Sequence, residues 1–201
     1  NQLKYITSYL YPLVVEQCVG KVTPYLEVNL VNGKYILDSS KVNYSYGALH
    51  KIFDQIFHKS NLNAREVKDV LILGFGAGSV ASLLREKYNI ESEITGIEKD
   101  QIVIDLARKY FDISRLKNLE LLCEDAQTFV QTCSKKFDVI VIDLFIDDQV
   151  PKCFLEKEFL KQLEPLLQYQ GILFFNTMVN TQKQKAEFNE LAANMEEIFG
   201  H

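Results

Sequence analysis

Val67-Lys68-Asp69-Val70-Leu71-Ile72-Leu73-Gly74-Phe75-Gly76-Ala77-Gly78-Ser79 is the stretch that decides the fold. A short apolar run enriched in β-branched residues stops abruptly at glycines placed on every second position, and a helical pattern follows. A strand with both faces covered reads this way. Glycine lets the chain turn sharply and leaves no Cβ between the main chain and a ligand. The helix behind it offers unpaired N–H groups to whatever binds there. Alone, Gly-x-Gly-x-Gly specifies little beyond a tight strand–helix turn; the residues downstream give it meaning.

After the glycine loop the pattern predicts a helix over 80–88, a strand over 93–98 ending in an acid, and a helix over 101–111. A strand over 119–123 runs into Glu124-Asp125-Ala126, then a short helix over 126–133. Residues 137–143 form a fourth strand ending in an acid, and 154–168 a helix that Pro165 kinks or ends. A fifth strand over 171–177 and a long amphipathic helix over 181–199 complete the series. This alternation predicts an α/β, Rossmann-like, doubly wound and mostly parallel sheet with right-handed crossovers. Ligands of such sheets bind beyond the C-terminal ends of the strands, near the switch point.

Upstream the pattern differs. Residues 1–12 are Tyr-rich and read as an extended arm or a short helix. Apolar runs at 13–19, 25–31 and 34–37 read as strands, the last two joined by Asn32-Gly33, a strong hairpin signal. A hairpin this small is not stable alone, so it packs on the main domain, on another subunit, or on both. The expected organisation is a β appendage over 1–46 and a main domain over 47–201. A helix over 47–59, with Leu49, Ile52, Phe53, Ile56 and Phe57 on one face, and a linker over 60–66 lead into it.

The chain has 201 residues, 47% hydrophobic and 24% charged, the balance of a soluble globular protein. Its net charge of −5 gives no basic footprint for nucleic acid and is compatible with a small cationic substrate. Cys18, Cys123, Cys133 and Cys153 form no C-x-x-C pair and have no His at ligand spacing, so no metal site is expected. Scattered thiols suit a reducing, cytoplasmic compartment. No apolar stretch reaches the roughly 18 residues of a membrane span. No charged-then-apolar leader is seen, so neither a membrane nor a targeting segment is expected.

Three acids fall at strand ends. Glu98 lies 24 positions after Gly74, near the spacing at which a carboxylate receives ribose hydroxyls, though strand ends also carry solvated acids. Asp125 can accept from an exocyclic amine such as adenine N6, or cap the following helix. Asp143 ends an apolar, central strand and faces the place where a cation or a nucleophilic amine would sit.

Leu-Gly-Phe-Gly-Ala-Gly (73–78), Gly-Ile-Glu-Lys-Asp (96–100), Glu-Asp-Ala (124–126) and Phe-Asp-Val-Ile-Val-Ile-Asp (137–143) together resemble the class I S-adenosylmethionine-dependent transferases, the class I methyltransferase fold. Within them the chain looks most like the spermidine synthase branch. The β-hairpin appendage precedes the nucleotide domain. Asn43-Tyr44-Ser45-Tyr46 is similar to that family's Phe-Ser-Tyr segment, and Asp143-Leu144-Phe145 with Pro151 and residues 154–159 to its Asp-x-x-Asp loop and helix. The resemblance covers residues 25–178. It implies that Gly74, Gly76 and Gly78 approach the amino-acid end and ribose of S-adenosylmethionine or its decarboxylated form. It further implies that Glu98 binds the ribose, Asp125 with Ala126 the adenine, flanked by Ile97 and Lys99, and that Asp143 lies beside the transferred group. An NAD-binding Rossmann domain is the nearest competitor. It wants Gly where the chain has Ser79.

Aminopropyl transfer calls for a base, which the family takes from the second Asp of its loop. Here Ile146 stands at that position, with Asp147 and Asp148 next. Methyl transfer asks for positioning and desolvation. The expectation is therefore methyl transfer to a small-molecule acceptor such as an amine. Asp143 and Asp147 serve the chemistry, and Tyr46, with Tyr44, closes the pocket. Aminopropyl transfer in polyamine synthesis is the alternative, and a non-catalytic nucleoside-binding or interaction module the second. A homodimer through the β appendage is the expected assembly. Family members continue with two further strands after the last helix; without them the sheet has an edge that needs cover.

Overall fold

Asn32 and Gly33 both have positive φ, 50° and 72°, the backbone of a two-residue turn whose twist matches a right-handed hairpin. In the computed structural model, which describes residues 2–39, 48–146 and 149–200, that turn joins two strands of a three-stranded antiparallel sheet. The strands are β1 (Leu13–Cys18), β2 (Leu26–Val31) and β3 (Lys34–Ser39), with β2 in the middle. The Tyr-rich start is the helix α1 (Gln2–Thr7). These elements belong to the first of two compact units, drawn from Asn1–Glu66, Phe75–Glu91 and Asp100–Lys117.

The same unit holds α2 (Ala48–Lys59), α3 (Ser79–Glu86) and α4 (Gln101–Tyr110). The alternation in β2 buries Leu26, Val28 and Leu30. The apolar face of α2 buries Phe53 and Phe57, and Phe57 meets Tyr88 edge-on with ring centroids 5.6 Å apart. The Tyr88 hydroxyl donates to the Asp54 carbonyl at 2.7 Å, so this aromatic contact leaves no buried hydroxyl unpaired. Asp100 is buried and fully used. One carboxylate oxygen accepts from the Ile102 amide and caps α4, and the other accepts from the Val22 amide, both at 3.0 Å. Gly20 makes room for it, since a Cβ there would lie 2.4 Å from that second oxygen.

The second unit, Val67–Gly74, Ser92–Lys99 and Asn118–His201, is built on five strands. They are β4 (Asp69–Leu73), β5 (Glu93–Glu98), β6 (Leu119–Cys123), β7 (Phe137–Ile142) and β8 (Leu167–Phe175), in the order β6-β5-β4-β7-β8 and all parallel. The helices α5 (Ala126–Thr132), α6 (Lys152–Leu155), α7 (Lys157–Leu163) and α8 (Gln182–Phe199) pack with it. Leu71, Leu73, Ile140 and Ile142 from the strands cluster with Phe129, Phe154, Phe159, Leu160, Leu191 and Ile198 from the helices. Each such side chain contributes roughly 1.5–3 kcal/mol when fully buried. Asp138 closes the other end of β4: its carboxylate accepts from the Lys68 and Asp69 amides at 2.8 and 3.0 Å. Thr181 and Gln184 form a reciprocal capping box on α8.

One expected element divides differently. The helix expected over 154–168 is α6 and α7, separated by Glu156 in extended conformation (ψ 146°). Pro165 then sits in a 3-10 turn, Glu164–Leu166, and the chain is already β8 at Leu167. The fifth strand thus starts four residues earlier than expected, with a bulge between the pairs Phe137–Leu167 and Val139–Ile172. Gln170, at φ 61°, takes up that bulge.

Gly74 ends β4 with φ 84°, between two neighbours. Its amide donates to Ile97 at 2.9 Å, and the Asp143 amide donates to Leu73 at 2.8 Å. A Cβ on Gly74 would lie 2.2 Å from the Asp143 carbonyl oxygen. Main chain cannot rotate away as a side chain can. Gly74→Ala is therefore expected to destabilise the fold by at least about 3 kcal/mol, from left-handed strain plus overpacking. Urea denaturation checks this; a loss under about 1 kcal/mol would mean that β7 yields easily there.

Candidate active site

Pairing register brings the rim together. Leu73 is level with Ile97 on β5 and with Ile142 on β7, and Glu98 is level with Cys123 on β6. One residue on, Gly74 is flanked by Glu98 on one side and Asp143 on the other. With strands about 4.8 Å apart, their Cα atoms are on the order of 10 Å from each other. Both acids are half-buried.

Asp143 follows β7 directly. Burial, reinforced by the Glu98 carboxylate, pushes its pKa up to about 6, against the pull of one hydrogen bond. That bond comes from the Asn176 side-chain amide, which donates to Oδ1 at 2.8 Å. Asn176 follows β8 and is itself held by its backbone amide on the Ile142 carbonyl at 2.9 Å. Sequence reading passed over Asn176. Nothing marks it before β7 and β8 are known to be neighbours.

Asp125 is the N-cap of α5. One oxygen accepts from the Gln127 and Thr128 amides at 2.9 and 3.3 Å, and the other pairs with the Lys99 ammonium at 2.8 Å. Although burial pushes the other way, the Lys99 ion pair and the two amides hold its pKa below the usual carboxylate range. The capping role read from the sequence is thus present in the structure, with one oxygen left to an ion pair. Ala126, the first residue of α5, and Ile97 are both buried in the core cluster of this unit. Gly76 and Gly78 have φ of 56° and 84° and belong to the first unit, where Gly78 caps α3.

Tyr46 and Asp147, named from the sequence as catalytic, lie outside the described residues, as do Tyr44 and Asp148. Ile146 is 45% exposed, and its backbone exchanges hydrogen bonds with Gln149 at 2.9 and 3.2 Å. A cavity of about 140 Å³ lies beyond β8, lined by residues of 149–155 and 177–187, and none of the strand-end acids lines it. Among the described residues no group of three His, Cys, Asp or Glu side chains can hold a metal ion, and no helix is long and apolar enough to cross a membrane.

The strand order, the glycine turn after the first strand of the sheet and the acids beyond its neighbours define a Rossmann-like, methyltransferase-type fold. The spermine/spermidine synthase domain matches residues 50–201, and the chain belongs to that family. A polyamine aminopropyltransferase from Vibrio vulnificus is 31% identical over 134 residues, 65% of this chain and 43% of that protein. An eEF1A lysine and N-terminal methyltransferase homolog from Drosophila pseudoobscura is 27% identical over 141 residues, 66% of this chain and 20% of the relative. The chain thus spans less than half the length of these two relatives. A solved spermidine synthase in complex with the transition-state analogue AdoDATO superposes with a TM-score of 0.76 at 18% identity, covering 94% of this chain and 66% of that one. This likeness bears on the fold.

Three substitutions separate the roles of these acids. Asp125→Ala should cost about 1 kcal/mol in urea denaturation through the lost cap, and Asp125→Asn, which can still cap, clearly less. For Asp143 the folded-state pKa lies above the ordinary value of 3.8. Its contribution is therefore fully present below about pH 4 and lost as pH rises through about 6. Asp143→Asn should be more stable than the parent by roughly 3 kcal/mol at pH 8 and equal to it at pH 4. Equal stability at both pH values would contradict the raised pKa.

Proposed function

We propose that the chain is an aminopropyltransferase, passing the aminopropyl group of decarboxylated S-adenosylmethionine to a small amine. The observation that carries this reading is the pair of half-buried carboxylates, Glu98 and Asp143, level with each other on either side of Gly74. Such a rim favours cations: a protonated amine acceptor, and a donor that has lost its own carboxylate. The family match and the Vibrio relative point the same way.

In this reading Glu98 accepts hydrogen bonds from the ribose hydroxyls, and Asp125 turns its second oxygen from Lys99 to the adenine amine, beside Ala126. Gly74, Gly76 and Gly78 keep the turn free of side chains. The donor's sulfonium supplies an activated carbon; the acceptor nitrogen forms the new C–N bond as the C–S bond breaks, its electrons passing to sulfur. The chain's share is to draw the ammonium in, strip its proton and exclude water. Asp143 suits the first two tasks, because with a pKa of about 6 it is mostly ionised at neutral pH and still a competent proton acceptor. Asp147 and Tyr46 are retained as candidates for proton transfer and closure.

Methyl transfer is the second reading. Ile146, where the spermidine synthase pattern has its second Asp, and the Drosophila relative favour it. Further parts of the proposal are a reducing, cytoplasmic setting and a division between an appendage over 1–46 and a catalytic part over 47–201. A homodimer through the appendage is supported by exposed Leu10, Val14 and Val19.

Calorimetry with S-adenosylmethionine, its decarboxylated form and NAD, followed by turnover on putrescine, decides among these. Tighter binding of the decarboxylated donor with product formation is expected. Methylated product from S-adenosylmethionine would transfer the assignment to the second reading, and preferential NAD binding would end both. Glu98→Ala should weaken nucleoside binding by on the order of 1–3 kcal/mol. An unchanged affinity would place the ribose elsewhere.

A further inference from the structure

We infer that Asn176 is the positioning residue for Asp143: by donating to one carboxylate oxygen it fixes the plane of the group and leaves the other oxygen to meet the acceptor amine. The inference rests on the proposed role of Asp143, but its structural part stands apart from any turnover.

Three observations converge. The Asn176 amide reaches Oδ1 of Asp143 at 2.8 Å, well within a full-strength bond to an ionised acceptor. The donor is itself anchored, because the Asn176 backbone amide is bound to the Ile142 carbonyl at 2.9 Å, one residue before Asp143. Both ends of the side-chain bond therefore spring from one ladder, β7 beside β8, and move together. Finally, an amide donor stabilises the ionised form, which burial and the Glu98 carboxylate on β5 both oppose. Among the described residues Glu98 is the charged group that acts on Asp143. A carboxylate in such a setting without a donor would hold its proton and repel the ammonium's.

The side chain suits the task. A hydroxyl at this position would be shorter and could rotate to accept, and a second carboxylate would compete for the same proton. Asparagine offers a neutral donor of fixed reach that adds no charge to an acidic rim.

The test is a ¹³C NMR titration of aspartate carboxyls in the intact chain, with Asp143→Asn identifying the signal. The parent is expected to titrate near pH 6. Asn176→Ala should move the midpoint upward by on the order of one unit or more. Asn176→Asp, nearly isosteric and so the variant that keeps the packing if the alanine variant does not fold, should also move it upward and spread it over two steps. In turnover assays the acid limb of kcat/KM should move with the midpoint. A midpoint unchanged in the folded variants, or an acid limb that stays while the midpoint moves, overturns the positioning role. Absence of turnover in the parent would count against the proposed function alone, since the titration reads Asp143 directly.

Discussion

Main chain of β4 and β7 meets at Gly74 with no room for a Cβ. This one close approach sets where the first strand of the sheet ends, where the loop turns away, and how near the Asp143 carboxylate stands to that turn. The two hydrogen bonds about the same point, Gly74 to Ile97 and Asp143 to Leu73, carry the constraint into β5 and β7 together. The rim acids are thus spaced by backbone pairing rather than by their own contacts. Their chemistry is grafted onto a position that the sheet needs for its own reasons.

Electrostatics then assigns different work to similar side chains. Asp143 is half-buried, feels the Glu98 charge and receives one donor; its pKa rises. Asp125 receives two amides and an ammonium, and its pKa falls. Asp100 is the most buried of the three and has both oxygens bound to backbone amides, a purely architectural duty. Asp138 serves the start of β4 in the same manner. What distinguishes a candidate proton acceptor here is an incomplete set of partners, not residue type.

Much of this was legible in the sequence because the signals were local. Alternation in residues 25–31, the Asn32-Gly33 turn and the glycine-terminated apolar run each depend on neighbours a few positions away, and the corresponding elements formed. The misread stretch, 154–168, failed for a nonlocal reason. Its apolar spacing fits a helix, but pairing with β7 draws Leu167 into a strand, and Glu156 breaks what precedes it. Asn176 was invisible on the same ground: its importance comes from a neighbour 33 positions away. Asp125 had two readings from sequence, and its capping geometry is present.

The Lys99–Asp125 pair has a consequence for how any guest would enter. Its ammonium occupies the one carboxylate oxygen that the helix cap leaves over. An adenine amine arriving there replaces a resident counter-ion instead of filling a gap, so occupancy becomes an exchange. Both partners of the displaced pair stay near solvent, and such exposed pairs are weak and thin out as salt rises. On the proposed reading of Asp125, added electrolyte would loosen the incumbent and leave a neutral heterocycle's own hydrogen bond nearly untouched, so that ionic strength would tune occupancy.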